Sequence, residues 1–229
     1  MKTSEKEWIK YLKNKALWSY PLTDTIVLSP HPDDETLGAG GLISDLKEKK
    51  IDVLVISVTD GEKAYLNEEH KLRQIRINEQ EKALEILGIS KEKIIRLQLR
   101  DSAVKEEEEK LEKLIFPFVS KKMHLLAPWL GDYHPDHEAV GRAALKLARQ
   151  KNAHLSFYFF WTWHYATILD LNQLPLYIYP LKSNAFINKQ KALECYVSQR
   201  FTKKERPILP EHILIPTKRT FEVYYTYEY

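Results

Sequence analysis

Two kinds of segment alternate along the chain. Short apolar runs stand at TIVLS (25–29), DVLVISVT (52–59), IIRLQL (94–99), MHLLAP (123–128) and LSFYFFW (155–161). Between them lie longer stretches in which apolar residues recur every three or four positions. A short run with little polar interruption reads as a strand buried on both faces, and a longer periodic stretch as an amphipathic helix. The pattern predicts helices over 36–49, over a stretch ending near LEILGI with Gly88 as its stop, and over KEEEEKLEKLIFPFV (105–119). In the last of these Leu111, Leu114, Ile115 and Phe118 face inward, and the glutamate run is a solvated face. Two more helices are predicted over Pro135–Arg149 and over 184–199, and TFEVYYTYEY (220–229) alternates like an edge strand. Near the N-terminus Trp8, Ile9, Leu12, Ala16 and Leu17 recur at helical spacing, which predicts an amphipathic capping helix within 1–20. Strands alternating with helices imply an α/β chain: a three-layer sandwich, its sheet mostly parallel, with helices on both faces.

Composition narrows the classes. At 229 residues and 44% hydrophobic content the chain supports one sizeable core, hence one domain over 1–229, with a looser pattern over 151–229. A net charge of +3 is too mild to argue for nucleic acid. Cys195 is the single cysteine, so no intrachain disulfide forms; this fits a reducing compartment and a cytoplasmic location. No stretch is long and apolar enough to span a membrane, and the N-terminal segment lacks a signal peptide's apolar core. Membrane attachment is the rival reading of its Lys-rich helix; short length and acidic residues on the polar face count against it.

In a parallel sheet, ligands bind beyond the carboxyl ends of the strands. PHPDDE (30–35) follows the first run, TDGE (59–62) the second, RDS (100–102) the third and PWLGDYHPDH (128–137) the fourth, so the titratable segments share one rim. His31, Asp33, Asp34 and Glu35 crowd into five positions, where like charges repel unless a cation offsets them. His31 and Asp34 are three apart, as are His134 and His137, and Pro135 suits the first helical position with His134 as N-cap. Two imidazoles and a carboxylate converging from separate strand ends, with water in the fourth place, form a catalytic zinc pattern. For HxxH alone, surface or capping histidines are the simpler reading; its pairing with HPDDE on one rim favours the metal.

SPHPDDETLGAGG (29–41) together with HPDH (134–137) resembles the LmbE-like (PIG-L) family of zinc-dependent deacetylases, Rossmann-like enzymes that remove acetyl groups from N-acetylglucosamine-type sugars. TDGE, RINEQEKALEILG (76–88) and RDS extend the resemblance, which covers Thr25 to Gln150; beyond it only WHYA and KALECYVSQ echo family segments. The resemblance implies an amino-sugar substrate and one Zn²⁺ per chain held by His31, Asp34 and His137. It also implies Asp33 as general base, His134 as the group that polarises the carbonyl, Arg76 as a sugar contact, and 151–229 as the part nearest the choice of substrate. On chemical grounds a protonated His134 would stabilise the oxyanion, Asp136 would orient it, and either Asp33 or His134 would protonate the departing amine. Other residues keep two readings. Arg76 and Glu79 suit an internal salt bridge as well. Glu62 and Asp101 contact sugar hydroxyls, orient ligands, or cap turns. Trp129, Tyr133, Trp161, Trp163 and Tyr165 near the rim form a stacking surface or pack ordinarily. Gly38, Gly40 and Gly41 let the first helix approach the sheet and do not form GxGxxG. Cys195 and His164 have no assigned role. Two rival functions remain: another metallohydrolase such as a phosphoesterase, and a non-catalytic sugar-binding protein.

Overall fold

The computed structural model describes residues 2–19, 23–65, 69–201 and 206–228. Eight strands form one sheet: β1 (Ala16–Leu17), β2 (Thr25–Ser29), β3 (Val53–Thr59), β4 (Ile94–Leu99), β5 (His124–Pro128), β6 (His154–Tyr158), β7 (Leu176–Pro180) and β8 (Phe221–Tyr227). Their order is β1-β7-β8-β6-β5-β2-β3-β4, and β8 runs antiparallel to both neighbours while the other described pairs are parallel. The helices are α1 (Glu5–Leu12), α2 (Asp34–Glu48), α3 (Glu69–Ile86), α4 (Glu108–Ile115), α5 (Pro135–Lys151), α6 (Thr162–Tyr165), α7 (Ile168–Leu171), α8 (Ser183–Leu193) and α9 (Val197–Arg200).

Side-chain alternation along the strands separates the two helical layers. Ile26 and Leu28 of β2 pack with Leu111 and Ile115 of α4 and Val140 and Leu147 of α5. Val27, between them, packs on the other face with Ala39 and Leu42 of α2, Leu84 of α3 and Ala192 of α8. These side chains are almost wholly buried, each large one contributing about 1.5–3 kcal/mol on removal from water. Helix α2 is buried from Asp34 to Leu46. Its glycines permit the close approach: a Cβ on Gly38 would run into the Tyr158 ring, and one on Gly41 into Leu181.

Several elements depart from the sequence pattern. The N-terminal helix ends at Leu12, and Ala16 and Leu17, read as helical, instead pair with Tyr177 and Ile178 as β1. Trp8 and Leu12 carry the helix's buried contacts, and Ile9 is exposed. The stretch 105–119 is not one helix: short 3₁₀ turns flank α4, and Pro117, which has no N–H, cannot continue the α-helical ladder. Leu114 faces outward, not inward. The stretch 184–199 divides into α8 and α9. β8 is internal rather than an edge strand. Its polar position, Glu222, is buried, accepting from Lys189 Nζ (2.7 Å) and the backbone N–H groups of Gly41 (2.8 Å) and Leu42 (2.9 Å). A satisfied interior carboxylate thus mimics a solvent-facing position in the sequence.

The chain runs from β2 outward to β3 and β4, then crosses back to β5 on the other side of β2. The strand order therefore reverses between β2 and β5, and a crevice opens beyond their carboxyl ends. No helix among the described residues is long and apolar enough to cross a membrane.

Candidate active site

Both His/Asp clusters emerge at this reversal. After β2 the chain turns through His31 to Asp33, and α2 begins at Asp34, two residues earlier than the apolar pattern suggested. Asp33 has φ 143°, a conformation costly for a side-chain-bearing residue. Its carbonyl accepts from the N–H groups of Thr36 (3.0 Å) and Leu37 (2.8 Å), which anchors the turn. Beneath it the buried Glu35 carboxylate accepts from Ser29 Oγ (2.5 Å), Tyr196 OH (2.6 Å) and Gln80 Nε2 (3.1 Å). After β5 a turn leads to His134, the N-cap of α5, whose Nδ1 accepts from Asp136 N (3.3 Å) with Pro135 in the first turn. His137 follows one turn in and is wholly buried.

Asp34 Oδ2 lies 3.1 Å from His31 Nδ1 and 3.1 Å from His137 Nε2. Although close, His137 Nε2 makes no hydrogen bond. A tetrahedral centre with metal–ligand bonds of about 2.0–2.1 Å has ligand–ligand edges of about 3.3 Å. Asp34 thus stands at ligand–ligand spacing from each imidazole, and two imidazoles with a carboxylate suit the chemistry of a zinc-type ion. The far sides of both rings are gripped by carboxylates. His137 Nδ1 meets Asp132 Oδ2 at 2.9 Å, and Asp132 accepts from the N–H groups of Phe160 (3.1 Å) and Thr162 (2.9 Å) and from Thr162 Oγ1 (2.6 Å). His31 Nε2 meets Asp136 Oδ2 at 3.1 Å and Asp101 Oδ1 at 3.4 Å. A carboxylate behind each imidazole fixes ring orientation and raises ligand basicity, as in metal sites generally. The ring nitrogens of His31, His134 and His137 also lie within 4.8 Å of one another, as do donor atoms of His31, Asp101 and Asp136. In the latter group both Asp136 oxygens already accept backbone N–H bonds, from Ser102 (2.8 Å) and Val104 (3.1 Å). It therefore acts as a clamp on His31.

Charge is balanced around this centre. Burial opposes charge on both imidazoles, yet Asp101, Asp136 and Asp34 raise His31 well above its ordinary value, and Asp34 and Asp132 raise His137 to about 9. Burial also opposes ionisation of Asp34, but His137 and His31 hold it far below the usual carboxylate range. Burial pushes Asp33 up to about 8 against the pull of Arg76. Burial, then His31 and His137, pull His134 down to about 4.

A cavity of about 480 Å³ opens over the centre, with His31, Asp33, Asp34 and His134 in its wall and Lys63 and Trp161 beside them. Four assignments change. The Asp136 carboxylate reaches His31 rather than His134: its backbone N–H donates to the His134 cap, while its side chain turns to the 102–104 loop. His134 is neutral rather than protonated: the N–H of Asp136 occupies Nδ1, so the ring proton sits on Nε2. Arg76 borders the cavity, but its guanidinium is buried and donates to Gly61 O (3.0 Å), Pro32 O (2.9 Å) and Asp33 Oδ2 (3.1 Å). It positions Asp33 rather than reaching outward, and Glu79 pairs with Ser198, not with Arg76. Glu62 lies outside the cavity, 3.2 Å from Arg73 Nη2 and accepting from Asp101 N at 3.4 Å, so it braces a turn. Asp101 does border the cavity and takes the ligand-orienting alternative through His31. Asp132 carried no assignment from sequence; a carboxylate two residues before His134, in the same strand-end turn, was its only signal. Asp132→Asn should weaken metal affinity about 10–100-fold while the fold persists, as read by competition with a chelating dye.

Comparison with known proteins fits this geometry. Residues 26–148 match the family described as "PIG-L: GlcNAc-PI de-N-acetylase". The chain is 31% identical over 123 residues to a diacetylchitobiose deacetylase of Thermococcus kodakarensis, an alignment spanning 51% of this chain and 45% of that protein. It is 30% identical over 133 residues to a probable N-acetyl-alpha-D-glucosaminyl L-malate deacetylase 2 of Bacillus cereus, spanning 53% and 59%. The alignments thus cover about half the length of these relatives. In fold it is similar to a deacetylase of the teicoplanin biosynthesis pathway, with a TM-score of 0.69, 18% identity, and 89% of this chain and 97% of that chain covered. The family match takes in over half of the 229 residues and both His/Asp clusters, and the chain belongs to the PIG-L family.

Proposed function

We propose that this protein is a zinc-dependent hydrolase that removes an N-acetyl group from an amino sugar or an N-acetylglucosamine-type conjugate. His31, Asp34 and His137 would hold one zinc ion per chain. The observation that carries this reading is Asp34 Oδ2 at 3.1 Å from nitrogens of both imidazoles, one of them buried and without a hydrogen bond. The deacetylase names of the relatives support the reaction class.

A bound zinc ion supplies Lewis acidity and lowers the pKa of nearby water. Asp33, beside the ligands and on the cavity wall, takes the proton of the attacking water. Arg76 holds the Asp33 carboxylate from below and so sets its direction. His134 donates from Nε2 to the acetyl oxygen as negative charge grows there; its Nδ1 is already occupied by Asp136 N. The proton taken by Asp33 then passes to the departing amine. His134→Ala should lower the turnover number about 10²–10³-fold with zinc content unchanged, because the lost contact strengthens in the transition state. The reading is tested by acetate release from a panel of N-acetylated sugars, nucleotide sugars and glycolipid head groups, with and without zinc. Release from at least one member, dependent on zinc, is expected; zinc-loaded protein that releases acetate from none would refute it.

A further inference from the structure

The aromatic residues near the rim divide into two sets. Trp163 is 7% exposed and belongs to the core with Trp8 and Phe159, and Trp129 packs on Phe157, Phe159 and Tyr225. Trp161, Tyr165 and Tyr133 instead form a string of rings at the surface. Trp161 lines the cavity. Its ring centroid is 6.0 Å from that of Tyr165, at 32°, and Tyr165 is 6.0 Å from Tyr133, at 41°. Tyr165 is 48% exposed, even with Lys2 Nζ 4.7 Å from its ring centroid, and Tyr133 is 47% exposed.

Tyr133 also has φ 58°, a left-handed conformation that a bulky side chain rarely adopts. No hydrogen bond to its hydroxyl is formed among the described residues, and its ring is not in the core. The flanking residues, Asp132 and His134, are both fixed by hydrogen bonds and hold the turn in this conformation, which leaves the Tyr133 ring outside the core. Tyrosine and tryptophan suit a sugar: the ring meets the C–H face of a pyranose, and the polar edge stays in water with the hydroxyls. The strip is continuous with the cavity because Trp161 belongs to both.

Resting on the deacetylase reading of the cavity, we propose that Trp161, Tyr165 and Tyr133 form a subsite for a second sugar ring, so that the substrate is a glycan longer than one residue. The acetylated ring enters the cavity, and the next ring lies across the strip.

The test uses the zinc-loaded full chain with N-acetylglucosamine and N,N′-diacetylchitobiose as probes. Equilibrium binding by tryptophan fluorescence and acetate release are measured for each. The disaccharide should bind about three- to tenfold more tightly than the monosaccharide, the worth of one ring contact. Tyr133→Ala with Tyr165→Ala should bring that ratio close to one, whereas the corresponding double Phe variant, which keeps the rings, should retain it. Equal binding of both sugars to the wild type would overturn the subsite, as would a preference that survives the double Ala variant or is lost in the double Phe variant. A change of molecular mass by light scattering in the double Ala variant, with the preference intact, would also overturn it and make the strip a subunit contact. Acetate release without any preference leaves the deacetylase reading standing and removes the subsite. A binding preference without acetate release does the reverse.

Discussion

His137→Ala should lose metal and turnover together. His137 is wholly buried, its Nε2 is 3.1 Å from Asp34, and its Nδ1 is held by Asp132. Loss of an outer-shell partner alone costs about 10–100-fold in metal affinity, so loss of a donor should cost more than about a hundredfold. The substitution also leaves the buried Asp132 carboxylate without its imidazole. Breaking a buried ion pair by removing one partner costs about 3–5 kcal/mol of stability, and the backbone and Thr162 donors around Asp132 should hold the loss below that range. The folded fraction should therefore be checked by thermal melting beside the metal assay. Bound metal is measured after dialysis against metal-free buffer. A folded variant that keeps a full equivalent of tightly bound zinc would remove His137 from the ligand set.

Asp33→Asn should separate chemistry from structure. The change keeps shape and volume but removes the proton acceptor. Asp33 touches Arg76 rather than either imidazole, so folding and zinc content should persist. Turnover should fall about 10²–10⁴-fold, the usual contribution of a positioned general base. The decrease should lie in the turnover number more than in KM, because the base acts only as the transition state forms. Zinc lost in step with activity would make Asp33 a ligand, and wild-type turnover by the variant would end its role as base.

The legible parts of the molecule were those whose cause is local. Unbroken apolar runs marked β2, β3, β4 and β5, and their common direction placed four polar segments on one rim. That was enough to bring the His31–Asp34 and His134–His137 clusters together across the gap between β2 and β5; the choice of His31, Asp34 and His137 among them came from the family resemblance. Contacts set by tertiary packing were not legible. Asp136 neighbours His134 in the chain, yet the first turn of α5 swings its carboxylate to His31 and the amides of Ser102 and Val104. Arg76 and Glu79 have the spacing of a helical ion pair, but each is drawn to another segment, Asp33 and Ser198. Asp132 left little trace because three of its partners are backbone N–H groups, which any sequence provides, and the side chains of Thr162 and His137 reach it only through the fold. β8 was misplaced for a related reason: the polar position that suggested solvent, Glu222, is satisfied inside the protein. Rim aromatics could not be sorted from sequence, since Trp161 and Trp163 are two residues apart and meet opposite environments.

The central claim, a single-zinc deacetylase centre on His31, Asp34 and His137, is tested most directly by metal titration. Wild-type protein is stripped with a chelator, dialysed, and titrated with zinc while acetate release from an N-acetylated substrate identified in the panel is followed. Activity is predicted to rise from near zero and to reach its plateau at one zinc per chain. Full acetate release by the stripped protein, or a plateau that requires two zinc ions per chain, would contradict it.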